Sequence, residues 1–265
     1  MTGNEAYRSL LFELLHGEKV TTRNATVTRV VASKLRFCQT PLVTSRKTPW
    51  KTALREFEFF LAGGSNIRTM HPSVRPWWQP WTEPNGGMPN SYGLQFREFY
   101  GSYGPVDQVT RLIDGVRDHP YSRRNLITTW NTSDMVHPST LITTCHGTII
   151  HAVVHPKDNS LELITYQRSA DVMVGLPANW FQYWALLLWL CSQTGREVGS
   201  LVWIGGDVHL YDTHRELAQR VLDAPDQTPC PQLVYQSGST DFLADDFSLD
   251  REYIPGLVER AEMVV

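Results

Sequence analysis

Between Thr143 and Tyr211 the chain gathers side chains capable of chemistry. Cys145 sits beside His146. The polar run Tyr166-Gln167-Arg168-Ser169-Ala170-Asp171 follows, then Gly175-Leu176-Pro177-Ala178-Asn179 and Gly205-Gly206-Asp207-Val208-His209-Leu210-Tyr211. The flanking segments are apolar, and a buried polar group left without a partner costs about 1–3 kcal/mol. So many polar side chains in one stretch read as a pocket. Cys145 is the candidate nucleophile, although a cysteine on an apolar strand is more often simple packing. A nearby cation lowers a thiol pKa, and Arg168 lies on a segment that could pair with the Cys145 strand. His146 could act as a base, but adjacent strand residues point to opposite faces, so a cysteine-protease pair fits poorly.

Arg23, Arg123, Arg124 and Arg168 could together hold a phosphate, because guanidinium forks match its oxygens in pairs. Taken singly, each reads equally as a solvated surface charge. Asn179 follows a Gly-Leu-Pro turn and can donate and accept at once, which suits an amide or pyrimidine edge. The alternative for Asn179 is a helix N-cap. His209 and Tyr211 alternate on one strand face and could meet a sugar hydroxyl. The nine histidines are scattered without metal-ligand spacing, so no metal is expected. No phosphate-cradling glycine loop is present.

The elements that must position these residues follow from periodicity. Tyr7, Leu10, Leu11, Leu14 and Leu15 mark a helix over 4–16 stopped by Gly17. Residues 19–37 alternate as strands. Residues 51–62 read as a helix ending at Gly63-Gly64, with Glu56 and Glu58 flanking its apolar face about equally. A long irregular section, 71–92, holds Trp77, Trp78 and Trp81 among prolines, and loops of that length are usually functional. A helix marked by Val106, Val109, Leu112, Ile113 and Val116 precedes strands at 125–130, 141–154 and 160–167. An apolar helix over 178–193, a strand at 200–204, a helix at 213–223 and a strand near 232–236 complete one α+β domain, 1–265, with a mixed sheet.

Composition sets limits. The 265 residues are 42% hydrophobic and 19% charged, an ordinary soluble globular balance. A net charge of -3 without a basic run argues against nucleic acid. Four cysteines without a CxxC pair, and no signal-peptide core at the start, point to reduced thiols and a cytoplasmic setting. The apolar run 180–191 is too short to span a bilayer, so no membrane partner is expected.

Ser122-Arg123-Arg124, Cys145-His146, Tyr166-Gln167-Arg168-Ser169 with Asp171, Gly175-Leu176-Pro177 with Asn179, and Gly206-Asp207 with His209-Leu210-Tyr211 resemble the motifs of the thymidylate synthase superfamily, in order and at compatible spacing. Pro41-Leu42-Val43-Thr44, Glu56, Trp78, Tyr92-Gly93, Tyr253, Pro255-Gly256 and the tail Met263-Val264-Val265 extend the match over nearly the whole chain. The resemblance implies a homodimer packed sheet to sheet, with Arg123 and Arg124 reaching the partner's phosphate site. It implies that Cys145 adds to C6 of a pyrimidine nucleotide, dUMP, and that C5 takes a methylene from 5,10-methylenetetrahydrofolate. Glu56 would relay protons through water, with Tyr92, His146 and Arg168 also in the catalytic set. Arg23, Arg168 and Ser169 would bind phosphate, His209 and Tyr211 the sugar, and Gln167 and Asn179 the substrate. Asn179 matches the position that reads the base. Asp171, Trp78 and Val265 would meet the folate.

The chain departs from the synthase pattern at Arg23-Asn24-Ala25-Thr26-Val27, Gly63-Gly64-Ser65-Asn66 and Ala170. Arg55-Glu56-Phe57-Glu58 and Asn90-Ser91-Tyr92-Gly93 resemble the phage hydroxymethylase branch instead, whereas Trp78 and the tail are synthase-like. The expectation is a dUMP hydroxymethylase, with thymidylate synthase as the alternative and a non-catalytic nucleotide-binding homologue as a remote one. Polar groups at Asn90, Ser91 and Glu58 would help hold the water that hydration needs.

Overall fold

The structure, a computed structural model, describes residues 1–22, 25–136, 143–236 and 238–264. Arg23 and Val265, both expected at the site, lie outside the described residues, as do Leu141 and Ile142 of the expected strand. Helix α1 (Gly3–His16) opens on a capping box between Thr2 and Glu5 and stops at Gly17. Then come β1 (Lys19–Thr21), β2 (Thr26–Phe37), α2 (Trp50–Leu61), the short α3 (Arg75–Trp78) and α4 (Tyr92–Arg97), and the hairpin β3 (Phe99–Gly101) with β4 (Gly104–Val106). Next are α5 (Gln108–Asp118), β5 (Leu126–Thr128), β6 (Ile149–Val154), β7 (Ser160–Asp171), α6 (Leu176–Thr194), β8 (Glu197–Tyr211) and α7 (Arg215–Asp223). A second hairpin of β9 (Leu233–Tyr235) and β10 (Phe247–Leu249) closes the order.

Six strands form one sheet in the order β1-β2-β8-β7-β6-β5. The β7–β8 pair is parallel and the others antiparallel, so the sheet is mixed and the α+β expectation holds. Parallel neighbours need a crossover, and α6 supplies it. Nearly all of α6 is buried, from Leu176 to Thr194, because it lies between the sheet and α2. Trp180 packs edge-on against Trp203 of β8 at 5.5 Å and against Tyr7 of α1 at 6.4 Å. On the other side Tyr183 meets Phe57 of α2 at 5.5 Å.

A bulge crosses the three central strands. In the register, Gly205 and Asp207 have partners on β2 and β7, while Ala32, Gly206 and Arg168 are skipped. Ala32 takes a positive φ of 58°. The buried face changes parity there: Leu201 and Trp203 are buried before it, Val208 and Leu210 after it. A bulge of this kind re-aims side chains, and the one re-aimed on β7 is Arg168. Gly206 has no room for a Cβ, which would meet the Tyr166 hydroxyl at 2.4 Å and the Arg168 carbonyl at 3.0 Å.

Three sequence expectations need correction. Val106, expected on a helix, ends β4, and α5 begins only at Gln108 after its Asp107 cap. The strand expected over 141–154 begins only at Ile149. Residues 143–148 leave the ladder because Gly147 is left-handed, with φ of 57°, and because the Cys145 amide hydrogen-bonds a side chain rather than a strand. The strand expected at 200–204 runs from Glu197 to Tyr211, since the bulge lets it continue past the glycines.

Candidate active site

Cys145 is held by two elements, α4 and β7. Its amide donates to the Tyr92 hydroxyl at 2.7 Å, and the His146 amide donates to the same oxygen at 3.3 Å. Its carbonyl accepts from the Arg168 amide at 2.8 Å, so the bulge on β7 sets both the backbone and the side chain that face it. The Arg168 guanidinium lies 3.5 Å from the Cys145 sulfur through Nη2 and stacks over the Trp130 ring at 4.9 Å. Burial pushes the Cys145 thiol up, and the Arg168 charge and Tyr92 hydroxyl oppose that shift.

His146 faces a different environment. Its ring stacks on Tyr92 at 4.4 Å, and Nδ1 pairs with the Tyr183 hydroxyl at 2.7 Å. Burial pushes its pKa down to about 3, so the imidazole is neutral near pH 7 and too weak a base to take the thiol proton. Its ring packs against Tyr92, whose hydroxyl in turn accepts from the Cys145 amide.

Glu56 and Glu58, equivalent by spacing, part company here. Glu56 is buried on α2, where Oε1 accepts from the Trp78 indole at 2.5 Å and Oε2 from Gln182 at 2.7 Å. Burial raises its carboxyl to about 7, the two hydrogen bonds opposing. Glu58 instead accepts from the Ala244 amide at 2.8 Å. That contact ties α2 to the C-terminal part of the chain, so Glu58 adds no carboxylate beside Glu56 and does not serve the expected water.

One chain of hydrogen bonds connects Glu56 to the sheet. Trp203 Nε1 donates to Gln167 Oε1 at 2.9 Å, Gln167 Nε2 to Asn179 Oδ1 at 3.0 Å, and Asn179 Nδ2 to Gln182 Oε1 at 3.1 Å. Gln182 then donates to Glu56. Because the indole only donates and the ionised carboxylate only accepts, each amide orientation along the line is dictated. Asn179 sits inside α6, whose N-cap is Gly175, so the capping alternative is excluded. Gln182, absent from the sequence-level site, was legible as a second polar interruption three residues after Asn179 in an apolar helix.

A second cluster lies where β7 and β8 end. Asp171 is opposite His209 in the register, and His209 packs edge-on against Tyr211 at 5.3 Å, which places both on one face as expected. Burial raises the Tyr211 phenol, and the nearby Asp171 and Cys145 charges add to that. Burial also raises the Asp171 carboxyl, opposed by His209 and by the Met173 and Val174 amides. Ser169 joins the two clusters, its amide 3.4 Å from the Cys145 carbonyl. Arg123 and Arg124 stand apart. They are exposed and line shallow clefts beside α5 with Arg111, not the Cys145 site. Trp78 is buried against Phe60 and Tyr92, which leaves its indole as a prop for Glu56 more than an open wall.

A family model described as thymidylate synthase matches residues 5–265. A thymidylate synthase of Corynebacterium aurimucosum is 32% identical over 211 residues, covering 79% of this chain and 77% of that protein. The chain belongs to the thymidylate synthase family. It is therefore a one-carbon transferase with methylenetetrahydrofolate as co-substrate, acting on dUMP. Asp171 fits that group chemically. Its Oδ1 accepts from the Met173 and Val174 amides at 2.8 and 3.2 Å, and the second oxygen, without a hydrogen bond among the described residues, suits a ring edge bearing N–H donors, as a pterin does. Among the described residues no helix is long and apolar enough to cross a membrane, and no cluster of side chains could hold a metal.

Proposed function

We propose that Cys145 adds to C6 of dUMP, that C5 then receives the folate-borne carbon, and that the product is released as 5-hydroxymethyl-dUMP. The observation that carries the first part is the Cys145 sulfur 3.5 Å from Arg168, on a backbone locked by Tyr92. Attack requires the thiolate, which burial disfavours and the Arg168 charge and the Tyr92 hydroxyl favour. The folate supplies a carbon at the formaldehyde oxidation level. Asn179, with its oxygen turned to Gln167 and its NH2 to Gln182, keeps one N–H and one lone pair for the O4 and N3–H of uracil. Glu56, poised at about 7, can lend and retrieve a proton near neutral pH. Arg168 and Ser169, with Arg23, serve the phosphate, and His209 with Tyr211 the sugar.

Hydration as the closing step draws support from Ser91. Its hydroxyl is buried, meets no hydrogen-bond partner among the described residues, and adjoins Tyr92 in the chain. An orphan polar group of this kind is a natural holder of a bound water. The second reading, reduction to dTMP, is favoured by the C. aurimucosum relative, a thymidylate synthase. A homodimer fits either reading. Arg123 and Arg124 are exposed and line clefts that Cys145 does not share, and the sheet exposes Ile149 and Tyr166, directly paired neighbours.

The covalent step is tested with dUMP labelled with tritium at C5. Wild type should release tritium in the presence of the folate, whereas Cys145→Ala should fall to background while still binding dUMP. Substantial release by that variant rejects the nucleophile.

A further inference from the structure

We propose that Tyr7 and Arg46 are positioning residues, which clamp the turn after β7 and so hold the Asp171 carboxylate at the orientation a folate requires. The proposal rests on the functional reading above. Tyr7 lies on α1, far in sequence from the site and fully buried. Its hydroxyl donates to the Val172 carbonyl at 2.8 Å. Arg46 is also buried, and its Nη1 donates to the Met173 carbonyl at 2.6 Å and to the Tyr7 oxygen at 3.1 Å. The amides of Met173 and Val174 face the other way, onto Asp171 Oδ1, and the Val172 amide meets the His209 carbonyl at 3.0 Å. The turn is thus pinned by carbonyls on one side while its amides hold the carboxylate on the other.

Arg46 makes no ion pair with a carboxylate among the described residues, and a buried cation without a counter-charge is costly. Simple core filling would favour an apolar side chain there. The main chain around Arg46 also carries the C-terminal segment: its carbonyl accepts from the Tyr253 hydroxyl at 3.0 Å, and the Lys47 amide meets the Leu257 carbonyl at 2.6 Å. One residue therefore joins the C-terminal segment to the Asp171 turn, and its Nη1 shares Tyr7 and Met173 as acceptors.

Tyr7→Phe removes the hydroxyl and keeps the ring against Trp180. Without any ligand, hydrogen exchange at the Met173 and Val174 amides should quicken about tenfold. Amides of β6, such as Ile150 and Ala152, should stay within about twofold. In turnover the KM for methylenetetrahydrofolate should rise about tenfold, with kcat and the KM for dUMP held within about twofold. Added to Asp171→Asn, the change should raise the folate KM no further, the signature of residues acting through one group. Arg46→Met should repeat the pattern; if it does not fold, Tyr7→Phe carries the test alone. Unchanged exchange at Met173 and Val174, faster exchange throughout, an equal rise in both KM values, or an unmoved folate KM would overturn the clamp. Local exchange as expected in a protein that never transfers carbon to dUMP would uphold the clamp on the turn and reject the functional reading instead.

Discussion

Glu56 is a carboxyl whose surroundings resist its charge. Burial places it at about 7 in the folded chain against an ordinary 4.5. Unfolding releases that proton between the two values, so the native state loses stability as pH rises from 4.5 to 7. A difference of that size corresponds to on the order of 3 kcal/mol. Glu56→Gln cannot titrate, and its NH2 leaves either Trp78 or Gln182 without an acceptor, a cost of about 1–3 kcal/mol. The variant should be less stable at pH 4.5 yet flat through the window over which wild type declines. Denaturant unfolding at half-unit pH steps measures this, and parallel curves for the two proteins would refute the assignment. The carboxyl that the fold pays to bury is the one we propose as the proton relay, while Glu58, two residues away, makes an ordinary hydrogen bond to a backbone amide.

At the scale of elements, the bulge through β2, β8 and β7 turns a ladder strand into a site. It leaves Arg168 unpaired with β8 while the register on either side is kept, and its amide reaches the Cys145 carbonyl instead. Gly206→Ala would press a methyl against Arg168 O and the Tyr166 hydroxyl. That substitution should cost about 1–3 kcal/mol of stability and move the guanidinium from the thiol, slowing alkylation of Cys145 severalfold at pH 8. An unchanged alkylation rate in a folded variant would show that the bulge does not aim Arg168. The helices were legible because 3.6-residue periodicity survives burial, as at Tyr7, Leu10, Leu11 and Leu14. The Cys145 segment was not, because Gly147 and a side-chain partner for the Cys145 amide break a run of apolar residues that alternate like a strand. The Glu56–Glu58 ambiguity likewise needed tertiary contacts: only Trp78 and Gln182, brought from other elements, separate the two carboxyls. Gly205-Gly206 was visible as a strand exit, but nothing in one sequence could show that Ala32 and Arg168 share its irregularity.

At the scale of the molecule, one chain leaves Arg123 and Arg124 exposed, in clefts beside α5 that Cys145 does not line. Shared sites across a dimer would give them work. A mixture of inactive Cys145→Ala and inactive Arg124→Ala chains should then regain activity, since one site of each mixed dimer has both wild-type contributions. A monomer in sedimentation, or no recovery after confirmed subunit exchange, would contradict the shared site. The fate of the carbon on C5 decides the rest. Hydration needs a water near Tyr92, where the Ser91 hydroxyl has no partner among the described residues, whereas reduction needs that water excluded. The most direct measurement is the mass of the nucleotide formed from dUMP and methylenetetrahydrofolate, with absorbance for dihydrofolate followed in the same reaction. The account predicts 5-hydroxymethyl-dUMP, heavier than dTMP by one oxygen, and no dihydrofolate. Stoichiometric dTMP and dihydrofolate would contradict it.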